Sequence, residues 1–102
     1  MFHALQLESV DNVATVVADI AKGSVITVQA GARAVTLSTL ESIPFGHKIA
    51  LQPIKRGEVV TKYGRPIGRA LIDVAKGGLI GAHNIEGMRG RGDLAIQEGE
   101  AE

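Results

Sequence analysis

Apolar and polar residues alternate over short stretches of this 102-residue chain, a pattern typical of β-strands. The pattern predicts strands within residues 2–7, 24–37 (two strands that bend at Gly31), 47–51 and 59–63, and a strand or short buried segment over 13–20. Residues 67–75 carry apolar side chains at nearly helical spacing, so helix and strand both stay open there. The chain is therefore predicted to be mainly β, with many short strands and at most one short helix.

Three similar stretches predict tight turns between these strands. Residues 19–23, 53–57 and 73–77 each place an Ile or Val three positions before a glycine, and an apolar run follows each of them. We expect the apolar side chain to be buried and the glycine to adopt a positive φ. Residues 43–46, Ile-Pro-Phe-Gly, are predicted to break the strand pattern because proline donates no ladder hydrogen bond.

Composition and charge narrow the classes of function. Eleven basic and eleven acidic residues cancel, so the chain has no overall field that would attract nucleic acid or an anionic membrane, and neither partner is expected. The absence of cysteine excludes disulfides and thiolate zinc sites. No stretch has the form of a signal peptide or of an apolar span of about 20 residues, which favours a cytoplasmic protein.

Positive charge is nevertheless concentrated in residues 47–91. This stretch contains nine lysines and arginines, but only Glu58, Asp73 and Glu86 as acids. Such a surplus suits a small anion, although a mixed solvated surface explains it equally well.

Two pairs of residues in this cationic stretch are candidates for binding an acid. His47 and Lys48 follow the Pro-Phe-Gly corner, where an imidazole could carry a proton and an ammonium could bind a carboxylate. Lys62 and Tyr63 offer a charge and a hydroxyl to a sugar acid. The alternatives are a surface His-Lys pair, and a tyrosine ring packed on the core while Lys62 lies in solvent.

Three further segments contain candidate residues or recognisable motifs. Asp11 and Asn12 either cap a turn, which the sequence favours, or contact a substrate. His83 and Asn84 end a glycine-rich stretch, residues 77–82. Residues 89–94 are interpreted as a flexible basic hinge rather than as an adhesion or nucleotide-binding motif.

Several of these motifs occur together in the order found in one family. The segment IPFGHKIALQPIKRGEVVTKYGRPIGRALIDVAKGG, the earlier DNVATVVADIAKG and the later HNIEGMRGRGDL resemble the SAF domain of altronate and galactarate dehydratases. They also resemble the small subunit of the related sulfolactate sulfo-lyase. The resemblance implies a SAF-type β-clip over residues 1–95, followed by an acidic tail over 96–102 that we expect to be frayed.

The resemblance also implies a reaction and a partner. A sugar-acid dehydratase of this kind, a hydro-lyase, removes water from a polyhydroxy carboxylate, and this chain would be its small subunit, inactive without a separate large catalytic subunit. A divalent metal, Fe²⁺ or Mn²⁺, would be held mainly by the large subunit. Association of this chain with itself is also open. The alternative is a non-catalytic SAF module that binds a sugar acid or a partner protein.

The site residues that follow from this resemblance fall into three classes. His47 and His83 are the catalytic candidates, and His83 is also a candidate metal ligand shared with the large subunit. The substrate-binding candidates are Asp11, Asn12, Lys48, Lys62, Tyr63 and Asn84. The family commonly has closely spaced histidines before the asparagine, whereas Leu79 and Gly81 occupy those positions here, which argues against a metal held by this chain alone.

Overall fold

The computed structural model describes residues 2–87, which form nine strands and no helix. The prediction of a mainly β protein is confirmed. The strands are β1 (Ala4–Gln6), β2 (Val13–Val16), β3 (Val25–Ala30), β4 (Arg33–Ser38), β5 (Lys48–Ala50), β6 (Val59–Lys62), β7 (Arg65–Ala70), β8 (Leu79–Ile80) and β9 (Ile85–Gly87). The predicted acidic tail over 96–102 and the predicted hinge over 89–94 lie outside the described residues. Within residues 2–87, no helix is long and apolar enough to cross a membrane.

The strands form two sheets. Six strands lie in the order β4-β3-β1-β2-β5-β8, and three lie in the order β6-β7-β9. All neighbouring strands are antiparallel except β1 and β3, which run parallel. The β3–β4 pair is a hairpin whose bend includes Gly31 at φ 65°, as the sequence predicted.

Two hydrophobic cores lie against opposite faces of the six-stranded sheet. Side chains alternate between the faces of a strand, so Ile49 joins the first core and its neighbour Ala50 joins the second. The first core consists of Ala4, Ala14, Val16, Ile20, Ile26, Val28, Leu37, Ile43 and Ile49. The second consists of Val13, Ala50, Ile54, Val60, Ala70, Val74 and Ile80, and therefore includes residues of the β6–β7 hairpin.

A turn of the same form, which we call a bridge turn, occurs four times in the described part of the chain. A buried Ile or Val forms an isolated β-bridge, and a glycine with positive φ follows three residues later. The bridges pair Ile20 with Ile43 and Ile54 with Val74. The four glycines are Gly23, Gly46, Gly57 and Gly77, with φ between 80° and 89°. The three predicted turns are confirmed, and the Ile-Pro-Phe-Gly break is a fourth of the same type.

These turns divide the structure into two similar units. The order strand, turn, hairpin, turn, strand runs first from β2 through β3–β4 to β5, and then from β5 through β6–β7 to β8. β5 thus ends one unit and begins the next.

The open choice at residues 67–75 is decided in favour of a strand. β7 continues to Ala70 and pairs with both β6 and β9, and a bridge turn at Val74 follows. Gly68 explains why the strand can lie so close to β9, since a Cβ at this position would collide with the carbonyl oxygen of Glu86. Pairing on both edges of β7 therefore overrides the weak helical spacing of its apolar residues.

Candidate functional site

Lys48 and Lys62 are brought together by the packing of the β6–β7 hairpin on the six-stranded sheet. Lys48 begins β5 and Lys62 ends β6. Burial, and secondarily the neighbouring Lys62 ammonium, lower the pKa of Lys48 below its ordinary value. No carboxylate within residues 2–87 offsets this effect on Lys48. Two neighbouring cations that are both partly buried are suited to an anion.

Tyr63 lies beside this pair of lysines. The Nζ of Lys62 is 5.4 Å from the centroid of the Tyr63 ring, a cation–π contact. Tyr63 is 59% exposed and belongs to neither core, so the alternative in which its ring packs on the core is wrong. Tyr63 is also the one non-glycine residue in the described range with positive φ, at 58°. A bulky residue adopts this conformation only where the surrounding structure holds it there.

The two-residue turn of the β6–β7 hairpin requires positive φ at Tyr63 and Gly64, and Asp11 braces that turn. Its side chain is 5% exposed, and its two oxygens accept backbone N–H groups from Tyr63 at 3.0 Å and from Gly64 at 2.8 Å. The backbone N–H of Glu8 donates to the same carboxylate at 3.0 Å. Asp11 therefore joins the loop after β1 to the turn between β6 and β7, and it fixes the position of Tyr63.

Asn12 makes similar hydrogen bonds to β6, and we call the side chains of Asp11 and Asn12 together the clamp. Its Nδ2 donates to the carbonyl of Val59 at 2.9 Å, and its Oδ1 accepts the N–H of Thr61 at 2.8 Å. The capping alternative is thus confirmed for Asp11, which caps its own turn and the turn between β6 and β7. Asn12 instead bonds to strand β6. Direct contact of either residue with a substrate stays a prediction.

Thr15 is a further polar residue at this site. It lies directly opposite Lys48 in the β2–β5 pairing. Its Oγ1 is buried and has no hydrogen-bond partner in the structure. Buried hydroxyl groups without a hydrogen-bond partner are uncommon in proteins. The Thr15 hydroxyl therefore leaves a hydrogen-bonding group unused opposite Lys48.

His47 and His83 lie at the ends of neighbouring strands. His47 precedes β5, and both side chains are exposed. The β5–β8 register pairs Lys48 with Ile80, so one further step places Gly81 opposite His47. The ring of His83 lies over Gly81, since a Cβ there would be 3.2 Å from its Nδ1. The two catalytic candidates therefore come from the same end of the six-stranded sheet.

Asn84 holds His83 in place. It is 3% exposed, its Oδ1 accepts the N–H of Gly81 at 3.0 Å, and its Nδ2 donates to the carbonyl of Leu79 at 2.7 Å. Both ends of its amide are therefore used within the turn that carries His83. Its predicted contact with substrate stays a prediction.

Residues 2–87 do not by themselves fit a divalent metal. Within residues 2–87, no three His, Asp or Glu side chains lie close enough together to hold one. An Fe²⁺ or Mn²⁺ site needs more ligands than the exposed His83 can supply. A metal that uses His83 would require ligands from outside the described residues.

A comparison with known protein families identifies the family of this domain. The family described as the altronate/galactarate dehydratase SAF domain matches residues 2–88 of the chain. The chain belongs to this family. Its all-strand structure with two sheets is consistent with the SAF β-clip.

Similar curated proteins point to two kinds of lyase. This SAF domain is 42% identical over 80 residues to altronate dehydratase from Escherichia coli (strain K12), covering 78% of the chain and 15% of that protein. It is 39% identical over 82 residues to altronate dehydratase from Bacillus subtilis (strain 168), covering 80% of the chain and 16% of that protein. It is also 40% identical over 53 residues to (2R)-sulfolactate sulfo-lyase subunit alpha from Paracoccus pantotrophus, covering 52% of the chain and 79% of that subunit.

The chain matches only part of the altronate dehydratases, which limits the properties that can be inferred from the likeness. The chain spans less than one sixth of the E. coli altronate dehydratase. The sulfo-lyase relative is named as one subunit of an enzyme. The likeness therefore shows a domain of a lyase family.

Two features of the site were not predicted from the sequence. The hydroxyl of Thr15 was not predicted. Nothing in the sequence of β2, Val-Ala-Thr-Val, indicates that its threonine lies opposite a lysine 33 positions away. The fourth bridge turn could have been found, because Ile43 and Gly46 have the same spacing as the other three pairs. Its proline obscured that likeness.

Proposed function

We propose that this SAF domain is the small component of a sugar-acid dehydratase of the altronate/galactarate type. In this proposal it acts with a separate large catalytic polypeptide that removes water from a polyhydroxy carboxylate. The observation that carries the proposal is the convergence of Lys48 and Lys62, without a carboxylate within residues 2–87 to offset Lys48, in a domain of this family.

The lysine pair matches the charge that such a reaction develops. Removal of the proton next to a carboxylate places additional negative charge on the carboxylate oxygens. Fixed cations lower the free energy of that state, most effectively where water is excluded. In the proposal, Lys48 and Lys62 bind the carboxylate, and the clamp of Asp11 and Asn12 keeps the Lys62 strand in position.

The large polypeptide is proposed to supply the metal. A divalent cation such as Fe²⁺ or Mn²⁺ would stabilise the deprotonated acid and the departing hydroxyl group. Since the described residues contain no cluster of three ligands, the partner would hold most of that site. His47 and His83 are proposed to contact the substrate or carry a proton from the end of the sheet, with His83 as a possible shared ligand.

The first experiment tests the lysines in the assembled enzyme. The complex is purified from its host through a tag on this chain and assayed for release of a keto acid from altronate and galactarate. We expect Lys48→Met and Lys62→Met each to reduce kcat/KM by about 100-fold, as for the loss of one transition-state contact. Lys55→Met is the matched control, because Lys55 is an exposed lysine of the Ile54 turn.

The same preparation distinguishes the remaining functions. Release of sulfite from sulfolactate, without dehydration, would assign the chain to the sulfo-lyase type, which its likeness to the alpha subunit favours. Full activity in Lys48→Met, His47→Ala and His83→Ala complexes would contradict a catalytic contribution and favour a non-catalytic SAF module. Purification of the chain alone, with no activity, would contradict the small-subunit proposal.

A further inference from the structure

The four bridge turns provide an internal comparison of side chains at one backbone position. In each turn a carbonyl accepts the N–H three residues later, at 2.9 to 3.2 Å, and the glycine is the third residue of the turn. The second residue is therefore equivalent in all four. These residues are Lys22, Phe45, Arg56 and Lys76, and all four are exposed. Three of the turns carry a cation at this position, and one carries a phenylalanine.

Phe45 is not needed to form its turn. Its backbone N–H donates to Asp19 Oδ1 at 2.8 Å, and the N–H of Arg56 donates in the same way to Asp73 Oδ1 at 2.8 Å. The two turns thus have the same cap with opposite side-chain chemistry. The side chain of Phe45 is 66% exposed, so it contributes little to either core. Several exposed apolar residues close together, rather than a single ring, mark a contact with another molecule, so the neighbours of Phe45 decide the matter.

Other apolar groups lie near Phe45 at this end of the sheet. Val17 is 41% exposed, and the carbonyl of the preceding Val16 accepts the N–H of Gly46. Phe2 is 40% exposed and precedes His3, whose carbonyl accepts the N–H of Val17. Pro44 lines a largely apolar groove between the Ile20 and Ile43 turns. We call the exposed residues Phe2, Val17, Pro44 and Phe45 the Phe45 face.

We propose that the Phe45 face is the docking surface for the large catalytic polypeptide. The identity of this occupant rests on the function proposed above. In the altronate dehydratases, the matching segment is 15–16% of the protein, so a much longer remainder belongs to the same chain and packs beside that segment in this proposal. Interface centres are enriched in aromatic residues and depleted of lysine, which distinguishes this turn from the two that carry Lys22 and Lys76. Docking here would place the partner directly beside His47.

The test uses a substitution that the chain itself shows to be compatible with the turn. Phe45→Arg introduces the side chain that Arg56 carries in the equivalent turn, and Arg56→Ala is the matched control. The tagged full-length chain and each variant are co-expressed with the large polypeptide that co-purifies from the host. That polypeptide is identified by mass spectrometry as matching the part of altronate dehydratase outside this domain. Affinity is then measured with the purified components.

We expect Phe45→Arg to weaken binding of the large polypeptide at least 30-fold, and Arg56→Ala to change it less than threefold. Equal binding by wild type and Phe45→Arg, in a complex that still dehydrates sugar acids, would overturn the docking surface and leave the proposed function intact. If wild type binds no such polypeptide, the proposed function and the occupant both fail. Self-association that Phe45→Arg abolishes would identify a second copy as the occupant and overturn the proposal. Should Phe45→Arg fail to fold by circular dichroism, Phe45→Ser makes the same comparison without a charge.

Discussion

At the scale of single residues, the polar side chains of this SAF domain divide into those that hold the backbone of the site in place and those that are available to a ligand. Asp11 and Asn84 are buried and Asn12 is partly buried, and all three accept backbone N–H groups through their side-chain oxygens. Lys62 and Tyr63 lie on the strand and the turn that Asn12 and Asp11 hold in place, and Lys48 lies on β5. A change to the first group should therefore be measured first as a loss of stability.

Asp11→Ala is predicted to destabilise the fold. The substitution leaves the N–H groups of Glu8, Tyr63 and Gly64 without their acceptor, and it removes the restraint on the positive φ of Tyr63. We expect the free energy of unfolding in urea to fall by about 3 kcal/mol. Asp11→Asn keeps one carbonyl oxygen and should lose less. A change below about 0.5 kcal/mol in Asp11→Ala would show that these hydrogen bonds contribute little in solution.

The pKa of Lys48 is predicted to rise when its neighbour loses its charge. Burial and the Lys62 ammonium lower this pKa, and Lys62→Met removes the second cause. A carboxylate bound beside Lys48 should raise the pKa as well, because an opposite charge favours the ammonium form. NMR titration of the Lys48 side-chain nitrogen measures both shifts. An unchanged pKa in Lys62→Met would show that the two ammonium groups are apart in solution.

The lowered pKa of Lys48 also determines how the stability of the fold changes with pH. The folded-state pKa of Lys48 lies below its unfolded value, so charging Lys48 costs free energy in the folded state at neutral pH. That cost disappears as the pH rises from the folded to the unfolded pKa. Lys48→Met should therefore unfold at higher urea concentration than wild type at pH 7. The advantage should shrink in alkaline solution, and an advantage of the same size at every pH would contradict this cause.

At the scale of secondary-structure elements, the bridge turns set the positions of the hairpins. Each turn buries one β-branched residue in a core and reverses the chain at a glycine with positive φ. The turns differ in what surrounds the glycine. Open space surrounds Gly23, whereas Gly77 lies against the carbonyl of Ser38.

This difference predicts unequal costs for the same substitution. Gly23→Ala meets only the backbone penalty of positive φ and should destabilise the fold by about 1 to 2 kcal/mol. Gly77→Ala adds a collision with Ser38 and should cost about 3 kcal/mol or more. Urea denaturation of both variants measures the difference. Equal losses would show that the segment around Ser38 moves to accommodate the methyl group.

At the scale of the whole molecule, one central sheet joins the two cores. Ile49 and Ala50 are neighbours in β5, yet they belong to different cores. The β6–β7 hairpin, which carries Lys62 and Tyr63, packs on the second core through Val60. Loss of either core should therefore disrupt the sheet that supports the other.

We predict that the domain unfolds in a single cooperative transition. Tyr63, the one tyrosine of the chain, reports on the β6–β7 hairpin by fluorescence, and far-ultraviolet circular dichroism reports on all strands. The two midpoints in urea should coincide. Ile49→Val, in the first core, should lower both midpoints equally, with a loss of about 1 kcal/mol. A lower midpoint for Tyr63 fluorescence alone would show that the hairpin opens separately.

The sequence alone determined the local features of this protein. Alternation predicted the strands, and the spacing of Ile20, Ile54 and Val74 from their glycines predicted three of the four turns. These features depend on side-chain periodicity and on the steric freedom of glycine, which act over a few residues. The same residues carried the family resemblance that the comparison confirmed over residues 2–88.

Tertiary structure decided what depends on residues far apart in the chain. The meeting of Lys48 with Lys62, the position of Thr15 opposite Lys48, and the clamp from Asp11 to Tyr63 span 14 to 52 positions. The strand at residues 65–70 likewise depended on partners on both of its edges. Such contacts follow from sheet register and hairpin packing, which hydrophobic periodicity does not specify between distant segments.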